Sequence, residues 1–151
     1  MYMKTQSTFL RMILLVVLVN TISVSINAQD LKFKLADLID KPWCMQGLTN
    51  QTYVENYLSN KVIGKLVIDK EPVIAIHEYY LSDSIVKVFD KSKVGGIKEG
   101  KYLVIRPLLD MKNNPNQPQP VNVFEILELT GTSYKIKKVG ELNVLEFKVC
   151  Y

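Results

Sequence analysis

From Lys61 to the end of the chain, apolar residues alternate with Lys, Glu or Asn in short runs, and each run stops at a cluster of turn-forming residues. A period of two places one face of each run on a core and the other in water, which is the pattern of a half-buried strand. Runs of this kind define candidate strands at 42–48, 61–69, 72–81, 84–90, 101–109, 121–130, 134–139 and 142–150. The breaks between them have recognisable turn chemistry: Asp69-Lys70-Glu71-Pro72, Ser82-Asp83-Ser84, Gly95-Gly96 through Gly100, Gly131-Thr132-Ser133 and Gly140-Glu141. Turns this short pair consecutive strands antiparallel. About eight short strands, each with one apolar face, bury those faces either by closing into a barrel or by stacking as two sheets, and closure also removes the sheet edges.

Three segments fall outside this pattern. Thr52-Tyr53-Val54-Glu55 has the spacing of a capping box, and Tyr53, Val54, Tyr57 and Leu58 share one side of a helix, which predicts a short helix at 53–59. Leu31-Lys32-Phe33-Lys34-Leu35 alternates like a strand, yet Leu31, Leu35, Leu38 and Ile39 also fit helical spacing; periodicity leaves both open. Met111 to Pro120, MKNNPNQPQP, holds three prolines among Asn and Gln, which supply neither ladder donors nor a core, and reads as an exposed loop.

The first 28 residues read as a cleaved export signal. Lys4 and Arg11 precede or border an unbroken apolar run, Met12 to Val19, and Ser25-Ile26-Asn27-Ala28 ends on a small residue. The run is too short to cross a bilayer, and no later stretch approaches the ~18–20 apolar residues that a spanning helix needs. The 151-residue chain has a net charge of +4, but 1–28 removes two cations and no acid. The 123 residues of 29–151 then carry 17 basic and 15 acidic side chains, a net +2. That balance argues against a nucleic-acid binder, the length fits one domain, and the signal implies export to the periplasm or beyond it.

Two cysteines, Cys44 and Cys150, stand near the two ends of the mature chain. In an oxidising compartment a pair of this kind tends to bridge, and closing so long a loop would stabilise the fold by about 4–5 kcal/mol in the chain-entropy treatment. The alternatives are two buried thiols or one reactive thiol.

The order of features from Pro42-Trp43 to Phe147 resembles the divergent bacterial lipocalin-like proteins of the calycin superfamily. The resemblance rests on Trp43 in the first strand, on the Tyr79-Tyr80-Leu81-Ser82-Asp83-Ser84-Ile85-Val86-Lys87-Val88 segment, and on Gly100-Lys101-Tyr102-Leu103-Val104-Ile105. It continues through Phe124-Glu125-Ile126-Leu127-Glu128-Leu129-Thr130 and Tyr134-Lys135-Ile136. It implies a small up-and-down barrel, commonly exported, that binds an apolar or amphipathic small molecule. On such a barrel, Leu145, Phe147 and Val149 facing inward would put Cys150 outside, and an inward Trp43 would put Cys44 outside, within bridging reach of each other.

Catalysis has little to draw on. His77 is the single imidazole, with Ile76 and Glu78 beside it, and Asp83 and Asp90 have no spacing that suggests an acid pair. One His and two end-placed Cys do not make a metal site, and no cofactor is implied. The candidate ligand-binding residues are Trp43, Tyr57, His77, Tyr79 and Tyr102. Val73, Ala75, His77, Tyr79 and Leu81 share one face of the 72–81 strand. Turned inward, His77 and Tyr79 would orient a mostly apolar ligand; otherwise His77 is a rim residue without a specific task. Trp43 is either a plug at one end of the barrel or a ligand contact. Tyr102, Val104 and Arg106 share a face; inward, Arg106 would hold a carboxylate or phosphate, outward it is a solvated charge. Lys135, Lys137 and Lys138 read as a solvated strand face. Tyr53, Tyr57 and Leu58, on a helix within the 47–60 connection, would form a lid or cap the core.

Two functions follow. The first is an exported, non-enzymatic carrier or sensor of a small apolar or amphipathic molecule. The second is a filled barrel whose outer surface or 111–120 loop meets a protein or glycan partner at the cell envelope. Cavity volume separates them: an apolar cavity of about 300 Å³ or more opening near 47–60 favours the first, and an interior closed by Trp43, Phe89, Phe124 and Phe147 favours the second.

Overall fold

The computed structural model describes residues 32–108 and 120–151. The export-signal reading at 1–28 and nearly all of the 111–120 loop lie outside the described residues. The described residues begin with β1 (Phe33–Lys34), α1 (Leu35–Leu38), β2 (Pro42–Met45), β3 (Gln51–Tyr57), β4 (Lys61–Ile68) and β5 (Glu71–Ser82). A single 3-10 turn at Lys91–Lys93 follows, then β6 (Glu99–Gly100), β7 (Tyr102–Pro107), β8 (Asn122–Leu129), β9 (Ser133–Lys138) and β10 (Val144–Val149).

Eight of these strands close into an antiparallel barrel in the order β10-β2-β3-β4-β5-β7-β8-β9, an up-and-down meander sealed where β10 pairs with β2. β1 and β6 form a separate two-stranded pair. The interior holds Trp43, Tyr57, Val62, Tyr79, Leu81, Leu103, Ile105, Ile126, Tyr134, Ile136 and Phe147, together with Phe33, Leu35 and Leu38. The last three close the end of the barrel at which β3 and β5 finish. Trp43 Nε1 donates to the Leu38 carbonyl at 2.9 Å, and Asp40 N donates to the Tyr57 carbonyl at 3.3 Å, tying that plug to the walls. Residues 33–38 are thus both things that the periodicity allows, two residues of strand and then one turn of helix.

Two expectations are corrected. The helix predicted at 53–59 is strand β3, paired with β2 through Cys44↔Val54 and with β4 over all seven of its residues. An isolated two-turn helix is marginal in water, whereas as a strand this segment pairs with β4 along its whole length and with β2 over Val54–Asn56. Tyr57 therefore stands in a wall at the closed end, and neither it nor Tyr53 forms a lid. The strand predicted at 84–90 is irregular, because the edge of β5 at Tyr79–Ser82 is already taken by β7. It crosses the outside of the barrel instead. Val86, Phe89 and Val94 pack there on Tyr80, Val104 and Val123, forming a second small core with Tyr102. Asp90 starts the 3-10 turn by accepting from Ser92 N at 3.0 Å.

That outer core buries Tyr80 of β5 and Val104 of β7 on the outer face of the barrel. It also places Tyr102 and Arg106 outside. Arg106 forms an ion pair with Glu78, and its guanidinium lies 4.4 Å from the Phe89 ring centre.

The bridge between Cys44 and Cys150 is present, with Cα atoms 5.6 Å apart across 106 positions of sequence. It fastens the tail of β10 to β2, at the seam where the barrel closes.

Candidate ligand-binding site

The interior has two halves. In the deep half, the Tyr134 ring stacks flat on Phe147 with centres 4.5 Å apart and meets Trp43 edge-on at 4.8 Å; Tyr57 meets Tyr79 edge-on at 5.2 Å. This aromatic cluster fills that half of the barrel. Towards the other end, where β2 and β4 finish and β3 and β5 begin, the side chains do not meet. They leave a cavity of about 330 Å³ walled by Met45, Leu66, Ile105, Phe124, Ile136 and Leu145, with Leu48 and Gln51 at its rim.

The floor of this cavity holds Glu55, 8% exposed and the one charged residue in its lining. Strict alternation along β3 sends Tyr53, Glu55 and Tyr57 inward while Val54 and Asn56 point out. Tyr53 donates to Glu55 Oε1 at 3.0 Å; Tyr57 and Tyr134 donate to Oε2 at 2.7 and 2.5 Å. The Tyr57 and Tyr134 hydroxyl oxygens are themselves 3.3 Å apart. Glycine at position 64, directly across the ladder from Glu55, makes the arrangement fit: a Cβ there would stand 2.6 Å from the Tyr53 hydroxyl.

Burial, reinforced by the nearby Glu55 charge, pushes the pKa of Tyr53 and of Tyr57 above the usual phenol value. For Tyr134 burial again leads, with Tyr57 and Glu55 adding to it. All three remain protonated donors at physiological pH. A carboxylate removed from water is costly unless its lone pairs are occupied, and here phenols occupy three of about four acceptor positions.

Trp43 is fully buried at the closed end, its ring against Tyr134 and its Nε1 donating to Leu38 of the plug. Tyr57 is part of the Glu55 cluster. Tyr79 is buried and donates to the Leu58 carbonyl at 2.6 Å, which anchors the β3–β4 connection. His77 sits on the same inward face of β5, across from Val62 on β4 and Pro107 on β7. Its Nδ1 is buried without a hydrogen-bond partner among the described residues, and burial lowers its pKa while Glu55 pulls the other way. Tyr102 lies on the outer face and is separated from the other four.

The cavity lining includes none of these five, so the walls were not anticipated residue by residue. Glu55 and Tyr134 are not among the ligand-binding candidates that the sequence supplies. The signal for Glu55 was available in Tyr53-x-Glu55-x-Tyr57, an acid flanked at period two by aromatics. The helical reading of that segment hid it.

A second hollow of about 430 Å³ lies against α1, bordered by Lys34, Ala36, Ile39, Ser59, Lys98 and Glu99. Although larger, it is bounded mainly by exposed side chains and has no buried polar group. Among the described residues no cluster of His, Cys, Asp or Glu has metal-binding geometry, and no helix is long and apolar enough to cross a membrane. No protein-family model matches the chain, and neither curated proteins nor solved structures give a match.

Proposed function

We propose that this protein is an exported, non-enzymatic, lipocalin-like binding protein that carries or senses one small apolar or amphipathic molecule in the open half of its barrel. The observation behind this reading is the cavity of about 330 Å³, apolar on its walls and polar at one point of its floor. That combination suits a ligand buried by its apolar body and oriented by one polar group. The disulfide fits an oxidising compartment, periplasmic or extracellular. Charge is distributed as on a barrel meant for water: interior aromatics, and outer-face pairs such as Lys135–Glu128, Lys137–Glu125 and Lys148–Glu146. A membrane-crossing barrel has the opposite polarity.

The test is calorimetric titration of the purified protein with 1-octanol, beside a Leu66→Trp variant in which the new ring occupies the cavity. Saturable binding to the native protein and its loss in the variant are expected. Equal behaviour of the two would favour the alternative, a barrel that works through its outer surface at the cell envelope.

A further inference from the structure

We propose that the ligand is an amphipathic amine, a short apolar body bearing a protonated amino head group that seats on Glu55 Oε1. This rests on the small-molecule reading above and narrows it to one chemical class.

The cavity floor carries the one charged side chain of the lining. Glu55 is buried, yet none of the ion pairs found among the described residues includes it. Its partners are three neutral phenols, which stabilise a carboxylate through dipoles and leave its charge uncancelled. A cluster serving stability alone gains nothing from that, since apolar residues of similar volume commonly do as well as a buried charge.

The two oxygens are also unequally used. Oε2 receives two donors, from Tyr57 and Tyr134, and faces the deep stack. Oε1 receives one, from Tyr53, a residue that itself lines the cavity. Oε1 thus keeps one acceptor position without a donor among the described residues, and Glu55 itself lines the cavity.

The walls support the same sign. Neither Lys nor Arg lines the cavity, so a carboxylate or phosphate head group would meet a like charge with nothing to offset it. A neutral alcohol would find an acceptor and no counter-charge. An ammonium finds an acceptor, a counter-charge, and the Tyr53, Phe124 and Phe147 rings, whose faces attract cations.

The experiment compares octylamine, 1-octanol and octanoate, equal in chain length and different in head group, by calorimetry at neutral pH below their micellar concentrations. Octylamine is expected to bind at least tenfold tighter than octanol, and octanoate at least tenfold weaker than octanol. Glu55→Gln is expected to bring the amine-to-alcohol ratio close to one. Octanol or octanoate binding as tightly as octylamine overturns the amine assignment and leaves the carrier reading standing. Failure of all three to bind overturns both. The ligand series on the native protein decides the matter even where Glu55→Gln folds poorly.

Discussion

Tyr134 is constrained twice, by its flat stack on Phe147 and by the hydrogen bond from its hydroxyl to Glu55. Tyr134→Phe keeps the first and removes the second, leaving a buried carboxylate one donor short. Hydrogen bonds to charged groups contribute about 1.5–3 kcal/mol, so a loss of that size is expected in chemical denaturation, with the denaturant slope unchanged. A shift within error of zero would mean that Glu55 is not the acceptor. His77 carries a second prediction. Its folded pKa lies below the unfolded value of 6.5, first because of burial, so the native state takes up its proton less readily than the unfolded chain. Stability is then full above about pH 6.5 and declines as pH falls through that value. The thermal midpoint should drop between about pH 7 and pH 5, and His77→Gln should flatten the slope in that window. A slope unaffected by the substitution would assign the effect to other groups. Both residues illustrate why the site was hard to foresee: binary patterning assumes that inward positions are apolar, and position 55 breaks that rule where the chemistry is concentrated.

At the level of elements, the β4–β5 hairpin turns through Asp69 and Lys70, both with positive φ, +50° and +73°. Two such residues in a two-residue loop form the mirror-image turn that matches strand twist, and glycine is favoured at the second. Lys70→Gly should therefore stabilise the protein by about 0.5–1 kcal/mol, the relief of left-handed strain exceeding the added backbone entropy. An unchanged or lower thermal midpoint would contradict that turn geometry. Most strands are legible because turn chemistry bounds them: 42–48, 61–69, 101–109, 121–130 and 142–150 each contain a strand of the barrel, and 72–81 and 134–139 match β5 and β9 to within one residue at each end. The two misreadings have one cause, since periodicity reports which residues share a face and is silent about which edges are free. Residues 53–57 satisfy helical and strand spacing alike, and the ladders on either side decide between them. Residues 84–90 alternate well enough for a strand but find the edge of β5 occupied by β7.

For the whole molecule, the disulfide lies at the closing seam of the barrel, tying the first barrel strand to the end of the last. Its loss frees the unfolded chain across nearly the full length of the domain, and Cys44→Ser with Cys150→Ser should cost about 4–5 kcal/mol. Thiol titration of denatured, unreduced protein from its own compartment should find neither cysteine free. The barrel as a whole has an uneven interior, solid with aromatics at the end plugged by α1 and hollow at the other. Small-molecule binding requires that second half to be occupied in use. Native mass spectrometry of the protein isolated from its own compartment addresses this most directly. The predicted spectrum contains a species heavier than the polypeptide by one small molecule, released on collisional activation, and that species is missing for Leu66→Trp. A spectrum showing the bare polypeptide mass alone, identical for both forms, would contradict the account.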